Sequence, residues 1–313
     1  MRVKFWGVRG SIPSPLTPES VRSKIASVVQ RVRPEDLESS RSRELFLSSL
    51  PLHLFGTVGG NTTCLEVRLD DGKPIIFDGG SGLRELGLFL QKSGDPAREL
   101  PIFFTHLHWD HIQGIPFFTP AYAKGNRIRF ASPAEGLEKA LREQMRPPFF
   151  PVTMDVMGAE IRFILLRGEK VRVGNADVYW KEMNHPGSSY AYKVVSDGKI
   201  LIFATDSEVT DSEFQSREEN RKFFEKADVL ILDSQYTLEE SFSKFDFGHT
   251  SYTMAVNLAV EWRVKKLVLF HHEPRYDDRL IFGMLRKAHW HLDQLEALGL
   301  VILTAQEGME LEL

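Results

Sequence analysis

The chain has 313 residues, 42% of them hydrophobic and 26% charged. That is the make-up of a soluble chain with a sizeable core, long enough for one large α/β domain or two small ones. A formal net charge of -4 excludes an overall basic field for nucleic acid or anionic membrane. Cys64 is the one cysteine, so there is no intrachain disulfide. The opening MRVKFWGVRG has no apolar signal run, and no stretch approaches the roughly twenty apolar residues that span a bilayer. No membrane partner and a cytoplasmic location are therefore expected.

Residues 3–8 read as a strand, followed by the loop Arg9-Gly10-Ser11-Ile12-Pro13. Thr17 then caps a helix with Pro18 at its first position. Val21, Ile25, Val28 and Val32 recur at helical spacing, and Pro34 restarts the pattern with Leu37, Leu45, Phe46 and Leu50. Residues 17–50 are thus expected to form a helical insertion packed on the surface as a hairpin. A lid or a homodimer contact is the competing reading. Strands at 64–69 and Pro74–Phe77 flank the turn Asp70-Asp71-Gly72-Lys73. The second runs into the glycine-rich turn Asp78-Gly79-Gly80-Ser81-Gly82, which lacks the lysine of a phosphate-binding loop. A helix with Leu83, Leu86, Phe89 and Leu90 inward follows, stopped by Gly94.

Pro101-Ile102-Phe103-Phe104 reads as a buried strand that ends in Thr105-His106-Leu107-His108-Trp109-Asp110-His111. Residues two apart in extended backbone share a face, so His106 and His108 can reach one metal ion together. After the turn, Asp110 and His111 can reach a second ion beside it. Imidazole and carboxylate suit zinc, with Mn²⁺ or Fe²⁺ as alternatives. Ser132-Pro133-Ala134-Glu135 has the form of a capping box opening a helix with Leu137, Ala140 and Leu141. Arg146-Pro147-Pro148-Phe149-Phe150-Pro151 is a rigid aromatic loop, read either as packing or as a wall of a substrate pocket.

Strands follow at 161–166, Lys170–Val173, 178–183, 189–195 and Lys199–Ala204. Residues 178–183 run into His185, and Lys199–Ala204 runs into Asp206. A polar stretch, 206–221, precedes a short helix near 221–227, and 228–233 is a strand. Gly248-His249-Thr250 opens a helix, and Lys266–Phe270 is a strand running into His271-His272-Glu273. Asp278 caps the last long helix and Gly299 stops it. His53, His289 and His291 read as surface positions, and 300–313 as one or two edge strands. No repeat, linker or composition break divides the chain, which reads as one layered α/β domain over 1–313.

Four strand ends therefore carry metal-type residues, and strand ends gather at one edge of a sheet. HxHxDH followed by a lone His, a lone Asp and a last His resembles the metallo-β-lactamase superfamily. The branch it is most similar to contains the ribonuclease Z and cyclic-nucleotide phosphodiesterase-like proteins. "FWGVRGSIPSP", "GGNTTCLEV", "IIFDGGSGLRELG", "THLHWDHIQGIPFF", "FATDSE" and "GHTSYTMAVNLAVEWRVKKLVLFHHEP" carry the resemblance, which covers the chain outside 17–50.

The resemblance implies a four-layer αββα sandwich with an N-terminal helical insertion, and two Zn²⁺ per chain. It places one ion on His106, His108 and His185 and the other on Asp110, His111 and His271, with Asp206 bridging. Asp78 would support the cluster without binding metal. The family's LVLxH form puts the last ligand at His271, which leaves His272 beside the site or facing substrate. His249 is similar to the histidine of the HST-type motif and is the candidate general acid; Asp110 is the other residue on which catalysis should depend. Asn61, Ser188 and Ser189 are candidates for contact with phosphate. The implied activity is hydrolysis of a phosphodiester by a hydroxide shared between the metals. The glycine- and proline-rich arm with which ribonuclease Z proteins grip transfer RNA has no counterpart here. Cyclic or other small nucleotide phosphodiesters are thus expected over RNA. An RNA 3′-end endonuclease and a metal-binding sensor or scaffold without turnover are the alternatives.

Overall fold

Short runs rich in β-branched and aromatic residues, broken by glycine and aspartate turns, build two sheets that pack face to face. The computed structural model describes residues 1–94, 98–209, 217–244 and 246–313. The first sheet contains β1 (Arg2–Gly7), β2 (Cys64–Arg68), β3 (Pro74–Phe77), β4 (Glu99–Phe103), β5 (Arg127–Ser132) and β6 (Glu160–Leu165). The second contains β7 (Lys170–Val173), β8 (Ala176–Met183), β9 (Ser189–Ser196), β10 (Lys199–Ala204), β11 (Val229–Asp233), β12 (Lys266–Phe270) and β13 (Val301–Thr304). β14 (Glu310–Glu312) returns to the first sheet, whose order is β14-β1-β2-β3-β4-β5-β6; the second runs β13-β12-β11-β10-β9-β8-β7.

Val3, Phe5, Val67, Phe77, Tyr192, Val194, Phe203 and Phe270 fill the space between the sheets. The helices are α1 (Pro18–Val29), α2 (Ser40–Ser49), α3 (Leu52–Phe55), α4 (Gly82–Ser93), α5 (Trp109–Ile112), α6 (Thr119–Tyr122), α7 (Leu137–Gln144), α8 (Glu218–Phe224), α9 (Leu238–Ser243), α10 (Tyr252–Glu261) and α11 (Asp278–Gln294). α4 lays Leu83, Leu86 and Leu90 on the outer face of the first sheet. α10 and α11 lay Ala255, Val256, Ile281 and Ala288 on the outer face of the second. This is the αββα order that the resemblance implies. Among the described residues no helix is long and apolar enough to cross a membrane.

β3, β4 and β5 pair in parallel, as do β10, β11 and β12. β8 pairs antiparallel with β9 and β9 with β10, so β8 runs the same way as β10. Consequently the carboxyl ends of β3, β4, β8, β10, β11 and β12 come to one rim.

Several expectations need correction. The insertion is helical, with Thr17 accepting from the Ser20 N–H and Pro18 at the first position, but it is not a packed hairpin. Val21, Ile25 and Val29 are 41%, 59% and 64% exposed, and neither α1 nor α2 has a buried residue. A polar tether decides which face turns in: Lys24 Nζ donates to Asp278 Oδ2 (2.6 Å) and to the carbonyls of His53 (2.6 Å) and Gly56 (2.7 Å). Asp278, expected as a cap, is committed to that tether and also accepts from Val58 N (2.9 Å) and Thr57 Oγ1 (3.1 Å). Asp277 caps α11 instead, accepting from Leu280 N. α11 ends at Gln294, so Gly299 lies in the turn beyond it. No capping box forms at Ser132, because that residue still belongs to β5 and donates to Phe104 O; α7 begins at Leu137 after the left-handed Gly136. The short helix is α8, which begins three residues earlier than expected. Residues 210–216 of the polar stretch before it lie outside the described residues.

Candidate metal centre

Each strand at the rim delivers one or more ligand-type side chains. After β3, Asp78 takes a left-handed backbone (φ 60°), and Asp206 (φ 49°) and His271 (φ 61°) do the same after β10 and β12. Aspartate and histidine tolerate this conformation better than bulkier residues, and it turns each side chain sharply off the strand line. Asp78 is fully buried and accepts from Thr105 N (2.8 Å) and Thr105 Oγ1 (2.9 Å). Its Oδ2 also lies 2.9 Å from His111 Nδ1. Thr105 Oγ1 lies 3.0 Å from His106 Nδ1, and the Gly248 carbonyl 3.0 Å from His185 Nδ1. In all three imidazoles Nδ1 is engaged, which turns Nε2 to the centre; oriented imidazoles of this kind are the usual support for metal-binding histidine.

The side chains form two adjoining groups. His106, His108 and His185 bring one donor atom each within 4.8 Å of one another, and so do Asp110, His111, Asp206 and His271. Asp206 faces both. Its Oδ1 lies 3.8 Å from His106 Nε2 and 3.9 Å from His185 Nε2, while Oδ2 lies 3.1 Å from His111 Nε2 and 3.2 Å from His271 Nε2. Asp110 Oδ2 stands 3.1 Å from His111 Nε2 and 3.2 Å from His271 Nε2. His106 Nε2 and His111 Nε2 are buried and make no hydrogen bond. A buried polar atom left that way is costly, and here the unsatisfied atoms converge with carboxylates, so the residues fit divalent cations.

The electrostatics agree. Burial lowers the pKa of His106, His108 and His185, which keeps them neutral and able to donate a lone pair. Burial works against ionised Asp110 and Asp206, but neighbouring histidines reverse the effect and hold both below the usual carboxylate range. Burial likewise opposes charge on His111, yet Asp110, Asp206 and Asp78 hold its pKa well above the ordinary value. The pocket thus attracts positive charge, as a proton or as a cation.

His249 lies beside both groups, its ring 5.4 Å from that of His185 and 5.1 Å from that of His271. His249 Nδ1 is 2.7 Å from Asp233 Oδ2 at the end of β11. Burial would discharge it, but Asp233 outweighs burial and raises its pKa to about 9. Asp206, Asp233, His249 and His271 also bring donor atoms within 4.8 Å of one another, so the Asp233–His249 pair adjoins the second group.

Four residues expected near substrate have other commitments. His272 is 3% exposed, with Nε2 2.9 Å from Ala305 O. Burial and the nearby Arg9 push its pKa down to about 3, and its backbone pins the loop after β1 through Val8 and Gly10. Asn61 Nδ2 donates to Glu307 Oε2 and its Oδ1 accepts from Ser81 Oγ. Ser189 is fully buried against Thr205 O, and the Ser188 hydroxyl donates to Glu182. In each case a protein partner engages a polar atom of the side chain, and the burial of His272 fits its place beside the site.

Sequence reasoning missed four contributors. Ser11 N donates to Asp110 Oδ2 (2.8 Å), and Gly10 lies so close to His271 that a Cβ there would come within 2.6 Å of the ring. Asp233 holds His249. Glu208, 5% exposed, accepts from Asp246 N and Gly248 N, both at 3.0 Å, and so fixes the segment that orients His185 and carries His249. The glycine of "RGSIP" and the acid of "TDSE" were the visible signals, but neither identifies its distant partner.

Residues 74–272 match the family described as the beta-lactamase superfamily domain, which is more than half of the chain. The chain belongs to that superfamily. Within it, the chain is similar to proteins of the ribonuclease Z branch. Ribonuclease Z of Prochlorococcus marinus (strain NATL1A) is 24% identical over 255 residues, which are 64% of this chain and 78% of that protein. Human tRNase Z, short form, superposes with a TM-score of 0.62 at 20% identity, covering 100% of this chain and 99% of the other. A diphosphatase of the PhnP family superposes with a TM-score of 0.64 at 17% identity, covering 100% and 97%. The family and fold expected from the HxHxDH element are thereby borne out, and the family is one of metal-dependent hydrolases.

Proposed function

We propose that the chain is a two-metal phosphodiesterase acting on cyclic or other small nucleotide phosphodiesters. The observation that carries this reading is Asp206, which presents one carboxylate oxygen to each donor group. His106, His108 and His185 would hold one ion, Asp110, His111 and His271 the other, and Asp206 would serve both. Zn²⁺ suits the set, with Mn²⁺ or Fe²⁺ as alternatives. Such a pair supplies positive charge for the phosphoryl oxygens and acidifies water near neutral pH.

The chain's own residues do the rest. Asp78 and Thr105 fix the rings of His111 and His106. His249, cationic at neutral pH and held through Nδ1 by Asp233, has Nε2–H left to give to the departing ester oxygen. Water gives one proton to solvent as its oxygen bonds to phosphorus, the ester P–O bond breaks, and the departing alkoxide takes the His249 proton, which solvent then restores. A net charge of -4 favours a small diester over a long polyanion.

A second reading, RNA 3′-end cleavage, is favoured by the relatives named ribonuclease Z. Metal content by mass spectrometry, with turnover of 2′,3′- and 3′,5′-cyclic nucleotides, bis-p-nitrophenyl phosphate and a transfer-RNA precursor, tests both. About two ions per chain with cyclic-nucleotide turnover supports the first reading; cleavage of the precursor alone supports the second. Bound metal without turnover of any substrate would leave a metal-binding scaffold.

A further inference from the structure

His108 is the one exposed member of the two donor groups; His106, Asp110, His111, His185, Asp206 and His271 are buried. The centre therefore opens at His108. The next residue, Trp109, lies between two candidate ligands and is 78% exposed. Across the opening, His185 Nε2 is 3.2 Å from His108 Nδ1. His185 leans on the Gly248 carbonyl, and the residue before it, Phe247, is 59% exposed. Phe247 and Trp109 are thus linked through Gly248, His185 and His108, and both side chains are exposed.

Single exposed apolar side chains are ordinary on protein surfaces. Trp109 and Phe247 belong to the segments that deliver His108, Asp110 and His249, which holds their backbones beside the centre. Aromatic faces in such a position take planar rings. We propose that Trp109 and Phe247 form a nucleobase-binding subsite that selects base-bearing phosphodiesters over alkyl ones. This rests on the phosphodiesterase reading and narrows its substrate class. A base from a mononucleotide and one from a single-stranded RNA end share the same chemistry.

The test has two arms. In the first, intrinsic fluorescence of the protein is titrated with AMP and, separately, with a short oligoribonucleotide. The chain has five tryptophans, so the difference between the wild type and Trp109→Ala isolates the one at the mouth. Quenching by either probe that disappears in Trp109→Ala and weakens in Phe247→Ala supports the subsite. The tighter probe identifies the source of the base. No quenching by either probe, or quenching that survives in both variants, overturns it.

In the second arm, kcat/KM is measured for a 2′,3′-cyclic nucleotide and for the same cyclic ribose phosphate lacking the base. Stacking of the usual strength predicts that Trp109→Ala lowers the ratio of the two about ten- to a hundredfold. An unchanged ratio overturns the proposal, as does a dimer in sedimentation that Trp109→Ala disperses. If the wild type cleaves neither diester, the phosphodiesterase reading fails, while the fluorescence arm still decides the subsite.

Discussion

Glu208 gives the sharpest test of how the centre is held together. Its two carboxylate oxygens accept from Asp246 N and Gly248 N, and the side chain is buried. Hydrogen bonds to a charged group are worth about 1.5–3 kcal/mol each. Glu208→Gln keeps one accepting oxygen and turns a donor toward the other N–H, so about 2 kcal/mol of local stability should go. Much of this loss should stay local, because residues 246–248 can lift while both sheets remain closed. His185 then loses the carbonyl that orients it, and His249 loses its place beside the donor groups. Loss of such an orienting partner costs about tenfold to a hundredfold in metal affinity. Zn²⁺ affinity by chelator competition, hydrogen exchange at the Asp246 and Gly248 amides, and turnover should therefore change together. Faster amide exchange with Zn²⁺ affinity and kcat both unaltered would refute the link between this loop and the centre.

Other expectations concern the donors, the tether and pH. Asp206→Ala should reduce bound metal to one ion per chain or fewer, measured by mass spectrometry on folded protein. Lys24→Met leaves the Asp278 carboxylate buried with only Thr57 and Val58 as donors; breaking such a pair costs about 3 kcal/mol in urea unfolding, and Asp278→Asn on that background should recover part of it. Burial raises the Glu307 pKa above the ordinary 4.5, against the pull of the Asn61 donors. The folded state therefore holds that proton more readily than the unfolded chain. The resulting stability is full below 4.5 and is lost as pH rises through the folded value. Lowering the pH from 7 to 4.5 should accordingly improve the wild type relative to Glu307→Gln in unfolding assays.

The features legible in the sequence were those written locally. Alternation and turn residues gave nearly every strand to within a residue or two, because the pleat imposes its period directly on the chain. The rule that strand ends gather was enough to bring His106, His185, Asp206 and the His271-His272 pair to one rim, and the resemblance chose His271 within the pair. Long-range polar pairing was invisible. Nothing near Asp278 announces Lys24, and nothing near Glu208 announces Gly248. Helical period showed that α1 is amphipathic, but the tether through Lys24 decided that Val21 and Ile25 face solvent. For Asn61 and His272, residue type suggested a place near substrate, and the partners Glu307, Ser81 and Ala305 that engage their side chains lie too far along the chain to be read from it.

The left-handed strand ends bear on how this protein responds to selection. Asp78, Asp206 and His271 each occupy backbone that glycine adopts freely and that costs other residues about 1–3 kcal/mol. Two of the three also bring a carboxylate into a buried pocket. Glycine relieves the backbone at each of them, but at Asp78 it would strand the buried Thr105 and His111 donors, whereas at Asp206 it removes a charge held beside Asp110. A library sorted only for heat resistance should therefore keep Asp78 and drift toward glycine at Asp206, emptying the centre, whereas one sorted for turnover should hold both and accept a lower melting temperature.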